Sequence, residues 1–365
     1  NPSASATQYV DNAGTIGTNY EYKIVRVAGG VTGTGYINCG IQVPSVDYRG
    51  KILLLVDNSM SAQIIPELTQ LIYDLRADGW GVLVSYVSPS ASVSSVKNEV
   101  IAQYNTDPAN VKALYILGHV PVPYSGNTMP DGHTEFFGAK PTDGYYAELN
   151  GVWTDNTVNN TSANRQENHN VPGDGKFDQN NFPTSVELQV GRVDMYDMPA
   201  FSASEVQLIR NYLNKAHGFK TKAWTPMARA LQFDNLQWVS DPLAAGGWRN
   251  LAPLVGNSNI TELPPYQASF GSMVNNQSYL WTNCSAGGLL DFQNNTWLFI
   301  GQDNAAITSE LATTINMGGV FNMGLGSYYG DFDNKNNYLR ALIARGDALT
   351  NCWSGIPTWY FHHMG

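Results

Sequence analysis

Three groups of residues in this chain have the chemistry to act on a ligand or to hold one. The first centres on Cys284, near the end of Ser278-Tyr-Leu-Trp-Thr-Asn-Cys-Ser-Ala-Gly-Gly288. A nucleophilic cysteine needs a lowered pKa, a base within hydrogen-bond reach and amides aimed at the oxyanion. Gly287 and Gly288 offer amides unshielded by a Cβ, and His119 is the preferred base, with His133, His362 and His363 as the other imidazoles weighed. The competing reading is a buried structural thiol, or a disulfide whose second half is Cys352; no Cys/His spacing here is diagnostic.

The second group is acidic. Thr154-Asp-Asn156 and Pro172-Gly-Asp-Gly-Lys-Phe-Asp-Gln-Asn180 place Asp155, Asn156, Asp174 and Asp178 on glycine-turned chain. Carboxylate and amide oxygens are the hard ligands that Ca²⁺ prefers, although the full EF-hand pattern is missing. The competing reading is a solvated loop of Asx turns. The third group lies in Gly326-Ser-Tyr-Tyr-Gly-Asp-Phe-Asp-Asn-Lys-Asn-Asn337. Here Asp331 and Asp333 could hold a cation or cap a helix, while Ser327 does not sit in the G-x-S-x-G elbow of α/β-hydrolases. His362 and His363 are adjacent, so in extended chain they point apart and do not share a metal.

The elements that must position these groups follow from hydrophobic periodicity. Lys51–Asp57 is a continuous apolar run, the pattern of a parallel strand covered on both faces. Ile64–Asp78 has helical spacing and stops at Gly79. Gly81–Val87, Val93–Tyr104 and Val111–Leu117 continue a β-α-β-α-β rhythm that predicts a right-handed, doubly wound parallel sheet. Residues 118–183 break the rhythm as a long Asn/Asp/Gly/Pro-rich loop, uncommon unless functional or braced by a metal. Val186–Val193, Ala228–Asp234, Ser278–Thr282, Gly319–Gly326 and Leu349–Trp353 read as further strands. Ala203–His217, Pro242–Gly256, Asn304–Ile315 and Ala341–Gly346 read as helices. Tyr20–Val27 and Gly35–Val43 form a small β-rich leader over 1–48. The chain thus divides into that leader, an α/β unit over 49–220 and another over 221–365. Ligands gather at the carboxyl ends of strands in such sheets, which is where Cys284 and His119 are expected.

Composition narrows the setting. Hydrophobic residues make up 43%, enough for a large core, but charged residues only 14%, against the ~25% typical of soluble domains. Asn, Ser, Thr, Gly and Tyr must then form the polar surface, which suits an extracellular protein or one packed into an assembly. The net charge of −10 speaks against nucleic acid, because phosphate binding needs clustered Lys and Arg. No stretch approaches the ~18 apolar residues of a membrane helix. Three cysteines are too few for a disulfide scaffold. The start at Asn1 fits removal of a secretory signal peptide. Sequons at Asn159, Asn160, Asn259, Asn276, Asn283 and Asn294 arise easily by chance in an Asn-rich chain. The expected partners are further copies of itself, or an extracellular or cell-surface protein or glycan.

The order of elements is recognisable. Lys51–Asp57, Gly81–Val87, Tyr115-Ile-Leu-Gly118 with His119 and prolines after it, Asp143-Gly-Tyr-Tyr146, Val190-Gly-Arg-Val193 and Gly330-Asp-Phe332 resemble the gingipain-like (C25) cysteine peptidases of the caspase–hemoglobinase clan. The resemblance runs from about residue 50 to near the end. It implies a secreted α/β protein, with calcium as a cofactor and no organic one. That family works with a His-Gly after one strand and a Cys after the next. By this alignment the histidine position falls at Ser285–Ala286 and the nucleophile position near Ser327, so both catalytic residues are replaced. GHVPVPYSG, VPGDGKFDQ, VELQVGRVD, GSYYGDFDNKNN and WYFHHM also resemble segments of large secreted bacterial proteins with no assigned activity. The expectation is a non-peptidase, structural, adhesive or ligand-binding module; the alternative is a cysteine hydrolase using Cys284 and His119.

Overall fold

The computed structural model describes residues 5–6, 8–43, 47–236, 243–265, 269–275, 277–293, 296–302 and 308–354. The expectations for His362 and His363, for the sequons at Asn276 and Asn294, and for the start of the helix at 304–315 lie outside these residues. Two strands, β1 (Tyr20–Ala28) and β2 (Val31–Cys39), pair antiparallel as a hairpin around Gly29 and Gly30. The second strand therefore starts and ends four residues earlier than its composition suggests.

The first α/β unit contains β3 (Gly50–Asp57), α1 (Asn58–Ser61), α2 (Ile65–Ala77), β4 (Trp80–Val87), α3 (Val93–Tyr104) and β5 (Val111–Leu117). Then come β6 (Tyr124–Thr128), β7 (Gly138–Pro141), α4 (Gly144–Ala147), β8 (Gln189–Val193) and α5 (Glu205–Lys220). The sheet is parallel in the order β4-β3-β5-β8. Side chains of successive strand residues point to opposite faces. Leu53 and Leu55 accordingly meet Val96 and Val100 of α3, whereas Ile52, Leu54 and Val56 meet Leu68 and Leu71 of α2 and Leu208 and Ile209 of α5. Each fully buried leucine contributes about 1.5–3 kcal/mol relative to exposure. Ser92 and Ser204 cap α3 and α5 by accepting hydrogen bonds from Ser95 N and Gln207 N, and Pro66 opens α2 where no amide donor is needed.

The second unit contains β9 (Ala230–Asp234), α6 (Leu243–Val255), β10 (Ile260–Leu263), α7 (Phe270–Val274), β11 (Tyr279–Ser285), β12 (Gly288–Gln293), β13 (Thr296–Gln302), α8 (Thr308–Thr313), β14 (Gly319–Leu325), α9 (Tyr338–Ala344) and β15 (Thr350–Ser354). Its main sheet is parallel in the order β10-β9-β11-β14-β15, and β12 and β13 form a separate antiparallel pair. Leu251 and Val255 of α6 cover one face together with Ala230 of β9. Phe270, Val274, Leu342 and Ile343 cover the other, in a core continuous with that under the first sheet. α5 and α9 join the two units: Tyr212 Oη donates to Leu349 O at 2.9 Å and Lys215 Nζ to Ile343 O at 2.9 Å. No described helix is long and apolar enough to cross a membrane.

The 118–183 segment is ordered by its own side chains. Tyr145 stacks on Phe177 with centroids 4.4 Å apart and meets Trp153 edge-on at 5.1 Å, while Lys97 Nζ lies 4.2 Å above the Tyr145 ring. Buried Glu148 accepts from Trp153 Nε1 at 2.7 Å and Gly151 N at 2.5 Å, and also from Thr184 Oγ1. These hydrogen bonds outweigh the upward push of burial and hold its carboxyl below the usual range.

Candidate functional site

The carboxyl ends of β11 and β14 bring together the positions where the resemblance places a catalytic pair. Ala286 N donates to Leu325 O at 3.0 Å, and Asn235 N to Ser285 O at 2.7 Å. Gly288 packs on the backbone of Ser327 so closely that a Cβ there would lie 1.9 Å from Ser327 O. Ser285, Ala286 and Ser327 therefore share one strand-end locus, with small side chains at each position. The next residue, Tyr328, is held in the left-handed region at φ 74°, where a non-glycine side chain is uncommon. Its amide donates to Asp131 Oδ2 at 2.7 Å. Its ring stacks on His133 at 4.2 Å, and its hydroxyl lies 3.1 Å from His133 Nδ1 and 3.2 Å from Glu135 Oε1. Burial first, and then the Glu135 carboxylate, push the Tyr328 phenol up to about 12. An imidazole does reach this sheet edge, but it comes from the 118–183 segment and engages a tyrosine. Sequence alone gave no sign of the Tyr328–His133 pairing, because 195 residues separate its members.

Cys284 is elsewhere than expected. Strand β11 runs on to Ser285, so Cys284 lies inside the sheet, 5% exposed, and not at its mouth. The parallel ladder to β14 pairs Cys284 with Gly324 and keeps the strand going beyond Thr282, where the apolar run stops. Burial first, and then the nearby Asp234 carboxylate, push the thiol far above its ordinary value. A disulfide to Cys352 is excluded by topology. β14 lies between their strands, which puts them about two strand spacings, roughly 9.5 Å, apart. Disulfides bridge Cα atoms less than ~7 Å apart.

His119 also departs from expectation. It follows β5 in the first sheet, whereas Cys284 belongs to the second, so the two do not share an edge. The turn into it is made by Gly118 at φ 88°, where a Cβ would meet Asp57 Cβ at 2.7 Å. His119 Nδ1 lies 3.1 Å from Asp194 Oδ2, its ring stacks on Tyr196 at 3.9 Å, and its amide donates to Asp57 Oδ2 at 3.2 Å. Burial raises the Asp194 carboxyl, but the His119 hydrogen bond and the charges of Arg340 and Arg192 more than reverse this and leave it lowered. Glu205, at the start of α5, is pushed up to about 7 by burial, then by the Asp194 and Asp57 carboxylates. Asp194 was visible as the residue after Val190-Gly-Arg-Val193; Glu205 carried no signal beyond its place behind the cap Ser204.

The acidic groups engage protein donors. Asp155 accepts from Gly173 N and Gly175 N at 2.8 and 2.7 Å, and Asp174 from Lys176 N at 2.9 Å and Val171 N at 3.1 Å. Asp178 accepts from the amides of Asn156, Thr157 and Val158 and from Thr154 Oγ1; these bonds overcome burial and hold its carboxyl well below the usual range. Asp331 and Asp333 share Arg165, at 3.5 and 3.2 Å, and Tyr124 Oη donates to Asp333 at 2.6 Å. The cap of α9 is Asn337, which accepts from Leu339 N at 2.9 Å, and neither aspartate fills that role. Among the described residues no group of three or more His, Cys, Asp or Glu converges as a metal site. The two places expected to hold calcium, the acidic loop with Asp155, Asn156, Asp174 and Asp178 and the pair Asp331 and Asp333, thus have their carboxylates engaged by amides, hydroxyls and Arg165.

No family model and no curated protein matches the chain. Two solved structures do. The crystal structure of the Arg-specific cysteine proteinase gingipain R (RgpB) superposes with a TM-score of 0.50 at 11% identity, covering 85% of this chain. The complex of Porphyromonas gingivalis RgpB pro- and mature domains gives the same score and identity over 83%. The fold is gingipain-like. It is an α/β architecture of parallel sheets, with the small antiparallel hairpin ahead of them. The chain spans 62% of the length of each of those structures. At this identity the gingipain likeness concerns fold alone.

Proposed function

We propose that this chain is a gingipain-type scaffold working as a binding module, without peptidase activity. One observation carries the reading: the cysteine nearest the family's strand-end site, Cys284, is enclosed in β11 with its thiol pushed far up, so no thiolate faces the mouth at neutral pH. Ser327 and the Ser285–Ala286 pair, where the resemblance puts nucleophile and base, carry no thiol and no imidazole. The low charge content supports an extracellular or cell-surface setting, with another extracellular protein as the partner. The alternative, a hydrolase using Cys284 and His119, would need side chains from two different sheets to meet.

The test is labelling of the native protein with iodoacetamide at pH 7.5, read residue by residue by mass spectrometry, together with a peptide-library cleavage assay. Exposed Cys39 and Cys352 are expected to label, Cys284 only after unfolding, and no peptide is expected to be cut. Cleavage that disappears in Cys284→Ala would overturn the proposal.

A further inference from the structure

Between the two main sheets lies a cavity of about 560 Å³. Its walls include two edge strands together with Ile52, Ala113 and Tyr115 from inner strands of the first sheet: β8 closes the first sheet on that side and β15 closes the second, and among the described residues no strand pairs with the outer edge of either. Val190 and Gly191 line one wall, Thr350 and Asn351 the other, with Tyr212 and Ile343 of α5 and α9 between them. A Cβ added to Gly191 would touch nothing within 4 Å. The carboxyl ends of both strands converge on one loop, since Arg192 lies 5.7 Å from the Phe332 ring and Gly330 packs on Trp353. The carboxyl ends of the two edges are therefore neighbours, and the cavity adjoins both strands.

An open strand edge presents a row of backbone donors and acceptors, normally paired or covered. Two such edges facing one gap match one chemistry, an extended polypeptide with hydrogen-bonding groups on both sides. The charges around the cavity agree. Arg192 is matched by Asp143 at 2.7 Å and Asp194 at 3.5 Å, and Arg340 by Asp194 at 3.8 Å, so the walls ask for an uncharged occupant. Two buried donors on lining residues, Arg340 Nε and Asn351 Nδ2, have no acceptor among the described residues, and Arg340 is only 5% exposed. Peptide carbonyls would supply acceptors. Resting on the binding-module reading, we infer that this gap receives an uncharged, extended segment of a partner polypeptide as a strand shared by β8 and β15, joining the two sheets.

The test uses the full chain and a fluorescein-labelled heptapeptide of alternating valine and threonine, with the same peptide N-methylated on alternate residues as its control. Saturable anisotropy is expected for the first and at least tenfold weaker binding for the second. Hydrogen exchange of the outward-facing amides of β8 and β15, those not bonded to β5 or β14, should be fast in the free chain and at least tenfold slower with saturating peptide. Gly191→Trp, which fills the gap, should weaken binding at least tenfold; Asn351→Ala should weaken it several-fold with the melting temperature kept. Equal binding of the methylated peptide, absence of binding, or edges already protected in the free chain would each overturn the inference. A recovered heptapeptide found cleaved would count against the non-peptidase reading and leave the exchange result to judge the groove.

Discussion

Replacing Arg165 with methionine tests what fastens the 118–183 segment to the second sheet. The Arg165 side chain is 6% exposed and sits between Asp331, 3% exposed, and Asp333, 17% exposed. Methionine keeps most of the apolar stem and removes the charge, leaving Asp331 with Lys140 at 3.6 Å and Asn168 at 3.2 Å. Breaking a buried ion pair from one side costs about 3–5 kcal/mol, because the remaining carboxylates stay desolvated. Against a typical total of ~5–15 kcal/mol this is a large fraction. The loss carries a pH signature. Burial already raises the Asp331 carboxyl above its ordinary value, against the pull of Arg165 and then Lys140. Without Arg165 it rises further. A carboxyl whose folded pKa exceeds its unfolded value binds more protons in the native state, so stability increases as pH falls through that window. The deficit of Arg165→Met should therefore be about 3–5 kcal/mol at pH 8 and clearly smaller at pH 5. Urea unfolding followed by tryptophan fluorescence at both pH values measures it. A deficit below ~1 kcal/mol at pH 8, the size of an exposed pair, or one that does not change with pH, would refute the reasoning.

Two other expectations follow from the same geometry. Glu205, pushed up to about 7, binds a proton in the native state between its unfolded value and pH 7, so the wild type should lose stability as pH rises through this range. Glu205→Gln should be more stable than wild type at pH 8 by about 1–2 kcal/mol, after discounting for partial solvent exposure, with the gain gone below pH 4; equal melting temperatures at pH 8 would refute this. Gly288→Ala forces a Cβ to within 1.9 Å of Ser327 O, a backbone atom that cannot rotate away. A loss of at least ~2 kcal/mol in denaturant titration is expected, and wild-type stability in this variant would refute the close approach of the two strand ends.

Much of the fold was legible because buried parallel strands write an unmistakable pattern. Lys51–Asp57 is apolar on both faces, and the structure gives both faces helices; Val93–Tyr104 and Val111–Leu117 are found with the ends that periodicity assigns them. The end of β11 was not legible. Asn283 and Cys284 look like a strand mouth, yet Asn283 donates to Gln232 across the ladder at 3.1 Å, so a polar residue continues the strand. The helix cap at Asn337 was hidden for a related reason: Asp331, Asp333, Asn334 and Asn337 are all capping types, and only the backbone path selects one. The carboxylates of the acidic loop were visible in sequence, whereas the backbone amides that meet Asp155 and Asp178 were not, because those bonds join stretches about twenty residues apart.

Sequence by itself determined the two sets of parallel strands and the helices that cover them, because each depends on residue type and local spacing. Tertiary structure alone decided that His119 and Cys284 belong to different sheets, that His133 meets Tyr328, and that β8 and β15 both line one cavity. Local spacing fixes which face of an element is apolar. Which ends of distant elements meet depends on how the strands order themselves within each sheet and on how the sheets are placed, and that is set by long-range packing.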